Sequence, residues 1–472
     1  MQFDEEYFKS EEFQELLERY EDAIATGSGI FMDADDLTDI ADYYSYSGDA
    51  EKAMAAIDYA LDLYPQATLP NVFKARDALI RQAFDEAADF ADRIEDKDSP
   101  DYHYLIAEIL IAQNKTDEAD RYLRDYFRSI PADEHQDFVL DAANLYIDYG
   151  VNDKAYEWMM RSKGDDSDDF KEIMARTLFG LGKYKDSERL FNELLDRNPF
   201  SKYYWNALAS AQFMDEDYSG SVTSSEYAIA LDPNDPESVS AKANGLFRLG
   251  NYEEAANYFH RYTELEPDDE FGPLHEGVCL VNLGRFDEAL KVLKLAADIS
   301  PKDSEYLPQI CQEIAFCYSA MRKPDDALEW LDKTRDMDCD HIDVIVIRGH
   351  ILLENERIEE AEQAFRLALI RSDSSPQVML RIMVSLYDNH CLRACYSMFK
   401  KFFSVVGSDF NEGYSYMALC CYELGYDEEF LMYLRLACEY NPREARQVLG
   451  ELFPEGMAAK EYYSYMRKKL KQ

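Results

Sequence analysis

Apolar residues recur three and four positions apart in short segments along most of the chain, which is the spacing of one face of an α-helix. The segment 236–269 shows this pattern clearly. Two amphipathic stretches, 237–249 and 252–265, are separated by Gly250, and glycine tolerates the left-handed conformation that is common at helix ends. Pro267 closes the segment because proline disfavours helix at the preceding residue. The pattern therefore predicts a hairpin of two helices.

The same pattern returns with a fixed period. Pro233, Pro267 and Pro301 lie 34 residues apart, and each closes a segment of similar build. Ala243 and Ala255 are expected at the crossing of the two helices, where only small side chains let two backbones approach. One hairpin cannot bury its apolar face alone, so we expect successive hairpins to stack on one another.

A period of 34 residues, with small residues, an aromatic and a closing proline at constant offsets, resembles the tetratricopeptide repeat. The resemblance covers 34–444 and implies an all-α fold, a right-handed superhelical α-solenoid of about twelve helix-turn-helix hairpins. The repeat register slips once, where four extra residues, 304–307, precede the next repeat. We therefore divide the repeats into 34–303, with about eight, and 304–444, with about four.

Helical caps are expected on both sides of the repeats. Residues 1–33 are predicted to hold an N-terminal capping helix, although 3–25 could also be the second helix of a degenerate repeat. Residues 445–472 are predicted to form C-terminal capping helices, the last of which is basic at 467–471. Its apolar side could close the core, whereas its basic side could contact an acidic groove of this or another copy.

The net charge of the chain indicates which kind of partner it could bind. The chain has 95 acidic and 49 basic residues, which gives a formal net charge of −46. This charge repels phosphate backbones, so nucleic-acid binding is not expected, and it favours a protein or peptide ligand that is basic. The alternative is that the acidic residues only cap and cover helix starts.

The chain shows no pattern typical of a membrane or secreted protein. The first six residues lack a basic segment and an apolar run, which predicts no signal peptide. No stretch reaches about 18 uninterrupted apolar residues, so no membrane insertion is expected. The nine cysteines suggest no disulfide framework, and we expect a cytoplasmic protein.

The resemblance implies that the first helix of each repeat lines a concave groove. In the fifth to eighth repeats, asparagine amides could bond a peptide backbone and arginines could clamp a carboxylate or phosphate. The candidate peptide-binding residues are Arg176, Asn206, Ser210, Phe213, Asn244, Phe247, Arg248 and Asn282. The alternative is that these side chains only solvate the groove or pair with aspartate and glutamate.

No metal, cofactor or catalytic site is predicted. The carboxylates of 336–340 alternate as in an EF-hand loop, but His341 replaces the turn glycine and Ile347 the bidentate glutamate, so a helix N-cap explains them better. Cys391 and Cys395 lie within one helical segment, unlike the loop-borne pair of a zinc site. Buried packing is favoured for the cysteines that share one repeat offset, which are Cys279, Cys317 and Cys420.

The sequence therefore predicts a non-catalytic scaffold or adaptor that binds a peptide or partner helix in its groove. A second hypothesis is a ligand-gated regulator that hinges at 304–307. A third is an enzyme, although the chain shows no phosphate loop, HExxH or GxSxG motif. The partner, the pathway and the oligomeric state are not encoded in these patterns.

Overall fold

The computed structural model describes residues 5–27, 32–162, 164–407, 410–454 and 456–470. The first four positions of the predicted N-terminal cap, residues 28–31 and the end of the basic segment at 471–472 lie outside the described residues. Within the described ranges, all regular secondary structure is helical. The predicted all-α fold of helix-turn-helix hairpins is confirmed.

The helices follow one another in short antiparallel pairs. Their bounds are α1 Glu5–Phe8, α2 Glu11–Thr26, α3 Ala34–Tyr46, α4 Ala50–Leu63, α5 Thr68–Ile80, α6 Phe84–Arg93, α7 Pro100–Ala112, α8 Thr116–Phe127, α9 His135–Asp148, α10 Asn152–Met159, α11 Asp168–Gly180, α12 Tyr184–Arg197, α13 Lys202–Met214, α14 Tyr218–Leu231, α15 Pro236–Arg248, α16 Tyr252–Leu265, α17 Phe271–Asn282, α18 Phe286–Ile299, α19 Leu307–Ala320, α20 Pro324–Asp332, α21 His341–Glu354, α22 Ile358–Arg371, α23 Pro376–Asp388, α24 Leu392–Val405, α25 Tyr414–Glu423, α26 Asp427–Tyr440, α27 Pro442–Leu449 and α28 Ala459–Lys469. Short 3-10 helices cover Met160–Ser162, Lys333–Asp336 and Gly450–Leu452.

The chain divides into two compact units, Met1–Asp217 and Tyr218–Gln472, which we call the N-terminal and C-terminal units. The register slip at 304–307 lies inside the C-terminal unit, where the connection between α18 and α19 absorbs the extra residues. Leu293 of α18 and Ile310 of α19 belong to one buried apolar cluster. The core is therefore continuous across the slip, and the boundary between the units lies elsewhere.

The first helix of a hairpin ends in a left-handed residue. Gly250 has a φ of +80°, and the N–H of Asn251 donates to the carbonyl of Leu246 at 3.0 Å. In the weakly matching repeat at 376–410, His390 takes the same role with a φ of +57°. The hairpin turn is thus kept even where glycine is absent, at the steric cost that a Cβ meets in this conformation.

Small residues lie where the two helices of a hairpin cross. Ala243 of α15 and Ala255 of α16 are both fully buried, beside Phe259. At Gly349 of α21 the fit is closer, since an added Cβ would lie 2.4 Å from the ring of Phe365. The predicted need for small side chains at the crossing is confirmed.

The interpretations of the cysteines and of 336–340 also hold. Cys279, Cys317 and Cys420 are each fully buried in apolar clusters. The carboxylate of Asp340 accepts hydrogen bonds from the N–H groups of Ile342 and Asp343 at the start of α21, at 3.0 and 3.1 Å. This is the N-cap role expected from the sequence.

The last described helix, α28, packs against α26 and α27 in the C-terminal unit. Its Tyr462 and Met466 are buried, and the ring of Tyr462 stacks on Phe453 with centroids 3.7 Å apart. Its basic side chains are exposed.

Candidate functional site

The first helices of successive hairpins pack side by side in the N-terminal unit and line a cleft of about 460 Å³. Five of these helices, α5, α7, α9, α11 and α13, contribute side chains. The lining residues are Arg76, Asp101, Tyr104, Glu108, Asp141, Asn144, Leu145, Asp148, Arg176 and Tyr203. First helices thus form the lining, as the resemblance implied.

Arg176 is the candidate residue that lines this cleft. Its guanidinium donates a hydrogen bond to the side-chain oxygen of Asn144 at 2.9 Å, and it forms an ion pair with Asp148 at 3.5 Å. Both partners lie one repeat earlier, on α9. The alternative interpretation, in which the arginine pairs with acidic and amide groups of the protein, describes Arg176 in this structure.

Arg176 is one member of a series of cross-repeat hydrogen bonds, by which we mean side-chain bonds between a first helix and the helix that lies one repeat away along the chain. The partners lie 32 to 37 residues apart, which is one repeat. The series links Tyr7 to Asp39 at 2.9 Å, Arg76 to Glu108 at 2.5 Å, Tyr104 to Asp141 at 3.0 Å, Arg176 to Asn144 at 2.9 Å and Tyr204 to Glu172 at 3.1 Å. The tyrosines and arginines donate, and the carboxylates and the amide oxygen accept.

Asp101 and Asp141 lie near Tyr104, and Asp137 lies near Asp141. Asp101 on α7 and Asp137 and Asp141 on α9 form no ion pair with any residue in the described ranges. Asp137 and Asp141 also line a second cleft of about 270 Å³ between α9 and α11. We call Asp101, Tyr104, Asp137 and Asp141 the acidic face.

The pKa of Asp141 is raised by its surroundings. The surrounding protein removes the Asp141 carboxylate partly from water, which raises its pKa, and the carboxylates of Asp137 and Asp101 raise it further against the hydrogen bond from Tyr104. On α3, burial together with the carboxylate of Asp39 raises the pKa of Asp42 to about 6. A cation placed beside either carboxylate would lower the pKa of that carboxylate.

The other candidate residues of the N-terminal unit lie on α13. Asn206 is buried, with 2% of its surface exposed, so its amide is not presented to solvent. Ser210 and Phe213 are half-buried. The sequence-based prediction missed Arg76, whose signal was an arginine on one first helix with a glutamate one repeat later.

The remaining four candidates belong to the C-terminal unit. The exposed Arg248 lies over the ring of Tyr218, 4.8 Å from its centroid. Phe247 packs edge to face on Tyr252, with centroids 5.5 Å apart. The exposed Asn282 donates to the Val278 carbonyl of its own helix at 2.8 Å. Asn244 is half-buried.

Two features are absent from the described ranges. His, Cys, Asp and Glu side chains form no group of three that could hold a metal ion there. In the same ranges, we find no helix with the length and apolar character needed to cross a membrane.

Comparison with known proteins gives two family matches, and relatives that match over short stretches. Residues 174–236 match the tetratricopeptide repeat, and 207–296 match the anaphase-promoting complex, cyclosome, subunit 3. Protein FlbA of Caulobacter vibrioides is 30% identical over 122 residues, which cover 26% of this chain and 20% of that protein. A STIP1 homolog protein of Dictyostelium discoideum is 29% identical over 119 residues, which cover 25% and 21%. The chain thus spans about a fifth of the length of these relatives.

Solved structures of similar proteins match larger parts of the chain. A tetratricopeptide repeat protein from Parabacteroides merdae is 16% identical, with a TM-score of 0.41, and the match covers 52% of this chain and 97% of that one. MamA from Desulfovibrio magneticus is also 16% identical, with a TM-score of 0.34 and coverage of 36% and 95%. The family matches and the repeated helical hairpins identify this chain as a tetratricopeptide repeat protein.

Proposed function

We propose that this protein is a non-catalytic scaffold whose acidic face holds a lysine- or arginine-rich segment of a partner protein. Stacked helical repeats create extended binding surfaces. The observation that carries the proposal is the group of carboxylates on α7 and α9, namely Asp101, Asp137 and Asp141, which form no ion pair in the described ranges.

Binding at this face needs no chemical step. A guanidinium or ammonium group can donate charge-assisted hydrogen bonds to carboxylates, which are stronger than neutral ones. The ligand would be charge-complementary to a protein of net charge −46. This complementarity raises the association rate and makes the affinity depend on salt concentration. The cross-repeat hydrogen bonds support the mechanism because they fix neighbouring first helices, so the carboxylates are preorganised.

The test is a binding titration with the full chain. A fluorescent peptide rich in lysine and arginine is compared with a glutamate-rich peptide of equal length by anisotropy at about 0.15 M salt. We expect the basic peptide alone to bind. The triple variant Asp101→Asn, Asp137→Asn, Asp141→Asn should bind it at least tenfold more weakly, a loss of about 1.4 kcal/mol or more.

A matched control separates the acidic face from the overall charge. Asp62, Asp85 and Asp89 are exposed aspartates on the second helices α4 and α6. Changing these three to asparagine alters the net charge equally and should leave affinity nearly unchanged. An equal loss in both triple variants would show attraction by net charge alone, and wild-type protein that ignores the basic peptide would refute the proposal.

A further inference from the structure

The helix α28 carries several exposed basic side chains within a strongly acidic chain. Residues 457–472 contain five basic side chains and one acidic one, within a chain that has about twice as many acidic as basic residues. Lys460, Arg467 and Lys468 are exposed and form no ion pair with any residue in the described ranges. Unpaired cations are unexpected in so acidic a protein, where carboxylates are abundant.

These cations share one side of the helix. Arg467 and Lys468 follow Lys460 by seven and eight positions, which is about two helical turns. The three side chains therefore project from the same side of the helix. Tyr462 and Met466 lie on the opposite face and are buried against the C-terminal unit. The unit therefore holds α28 in place and leaves its basic stripe, defined by Lys460, Arg467 and Lys468, open to solvent.

We propose that the basic stripe of α28 in one copy docks on the acidic face of the N-terminal unit of a second copy. The proposal rests on the function proposed above and names the partner as another molecule of this chain. Its basis is charge complementarity between two surfaces whose charged groups form no ion pair within the described ranges. The stripe supplies cations in a fixed helical array, and the acidic face supplies carboxylates from neighbouring repeats.

The dimensions of the two surfaces agree. Lys460 and Lys468 are eight residues apart, which spans about 12 Å along a helix at 1.5 Å per residue. Asp101 and Asp141 stand on neighbouring first helices, α7 and α9, and packed helices lie about 8–10 Å apart. A helix laid across α7 and α9 can therefore bring one cation to each of the two repeats.

Such a contact is heterologous, because two different surfaces meet, and it can extend from copy to copy or close into a ring. The full chain is examined by sedimentation velocity between about 1 and 100 μM at low and at high salt, since exposed charge pairs are screened by salt. We expect a mass that rises with concentration at low salt and returns to that of the monomer at high salt.

Two variants each remove one half of the contact. The stripe variant is Lys460→Glu, Arg467→Glu, Lys468→Glu, and the face variant is Asp101→Asn, Asp137→Asn, Asp141→Asn. Alone, each should associate at least tenfold more weakly than the wild type. Mixed, they should form a dimer and stop there, because one supplies an intact acidic face and the other an intact stripe. This outcome separates head-to-tail docking from any self-complementary interface.

A matched control changes three other exposed cations of the same unit, in the variant Lys401→Glu, Arg435→Glu, Arg446→Glu. It should associate as the wild type does. Binding of the basic peptide by the stripe variant shows that this variant is folded and that its acidic face is intact.

A chain that binds the basic peptide yet stays monomeric at every concentration would overturn this inference and leave the proposed function standing. A chain that associates equally well in the stripe variant would overturn it also. If the chain binds no basic peptide, the proposed function itself fails.

Discussion

At the scale of single residues, the structure gives Arg176 partners within the protein. Sequence offsets marked it as a ligand clamp, whereas its guanidinium already bonds Asn144 and pairs with Asp148. The residue type was found because arginine is conspicuous in an acidic chain. Its partners were not, since they become neighbours only after two hairpins stack with the correct register.

Replacing Arg176 should therefore affect folding more than binding. We expect Arg176→Ala to lower the free energy of unfolding by about 1–2 kcal/mol, because Asn144 and Asp148 lose a charge-assisted partner. Affinity for a basic peptide should stay equal or rise, since a positive charge leaves the cleft. Urea denaturation measures the stability and anisotropy measures the affinity. Weaker binding of the basic peptide by Arg176→Ala, with unchanged stability of the variant, would contradict this assignment.

Asp42 gives a prediction with a pH dependence. Its pKa is raised to about 6 from an ordinary value of 3.8, so between these pH values the folded state binds more protons than the unfolded state. The stability of the fold therefore falls as pH rises through this window. Asp42→Asn should raise the free energy of unfolding by about 1–2 kcal/mol at pH 7.5 and change it little near pH 4.

Denaturation at both pH values measures the effect of Asp42→Asn. The exposed Asp62 on α4 provides the control, as Asp62→Asn should change stability little at either pH. Equal stabilisation of the Asp42 variant at pH 4 and pH 7.5 would show that burial of the charge is not its cause.

At the scale of elements, the hairpin was largely predictable from the sequence. The predicted stretches 237–249 and 252–265 correspond to Pro236–Arg248 and Tyr252–Leu265. Helical periodicity, the left-handed residue at Gly250 and the closing proline are local signals, so they can be recognised without knowing the fold. The cross-repeat hydrogen bonds could not be assigned this way, because they depend on which side of each helix faces its neighbour.

A substitution at the crossing of α21 and α22 can test how closely one hairpin is packed. Gly349→Val places atoms where a Cβ alone would lie 2.4 Å from the Phe365 ring. We expect a loss of about 1–3 kcal/mol in the free energy of unfolding, as overpacked cores show. Glu359→Val, at an exposed position of α22, serves as the control for β-branching in a helix. Equal effects of the two substitutions, measured by denaturation, would contradict the close fit.

At the scale of the whole molecule, charge is the dominant property. Residues 1–217 hold 51 acidic and 22 basic side chains, and the chain as a whole carries a formal charge of −46. Composition alone predicted a basic partner. The structure supplies what composition could not, namely that Asp101 and Asp141 line one cleft without an ion pair in the described ranges, while the carboxylate of Glu108 pairs with Arg76.

Repulsion within so acidic a chain should make its stability depend on ionic strength. We expect the midpoint of thermal unfolding to rise by a few degrees between low and moderate sodium chloride, because salt screens the repulsion among carboxylates. Scanning fluorimetry measures the midpoint. Potassium chloride should act equally, whereas a rise confined to sulfate would indicate exclusion of the salt from the protein surface instead.

The cross-repeat hydrogen bonds also determine how force and strain pass along the N-terminal unit. Each bond joins a repeat to its immediate neighbour, and none of the five reaches further than 37 residues. Loss of one bond therefore softens a single junction and leaves the next at full stiffness. A ligand cation that drew Asp141 away from Tyr104 would loosen only the junction of α7 with α9. Binding at the acidic face would therefore lower the bending stiffness of the N-terminal unit at that one junction.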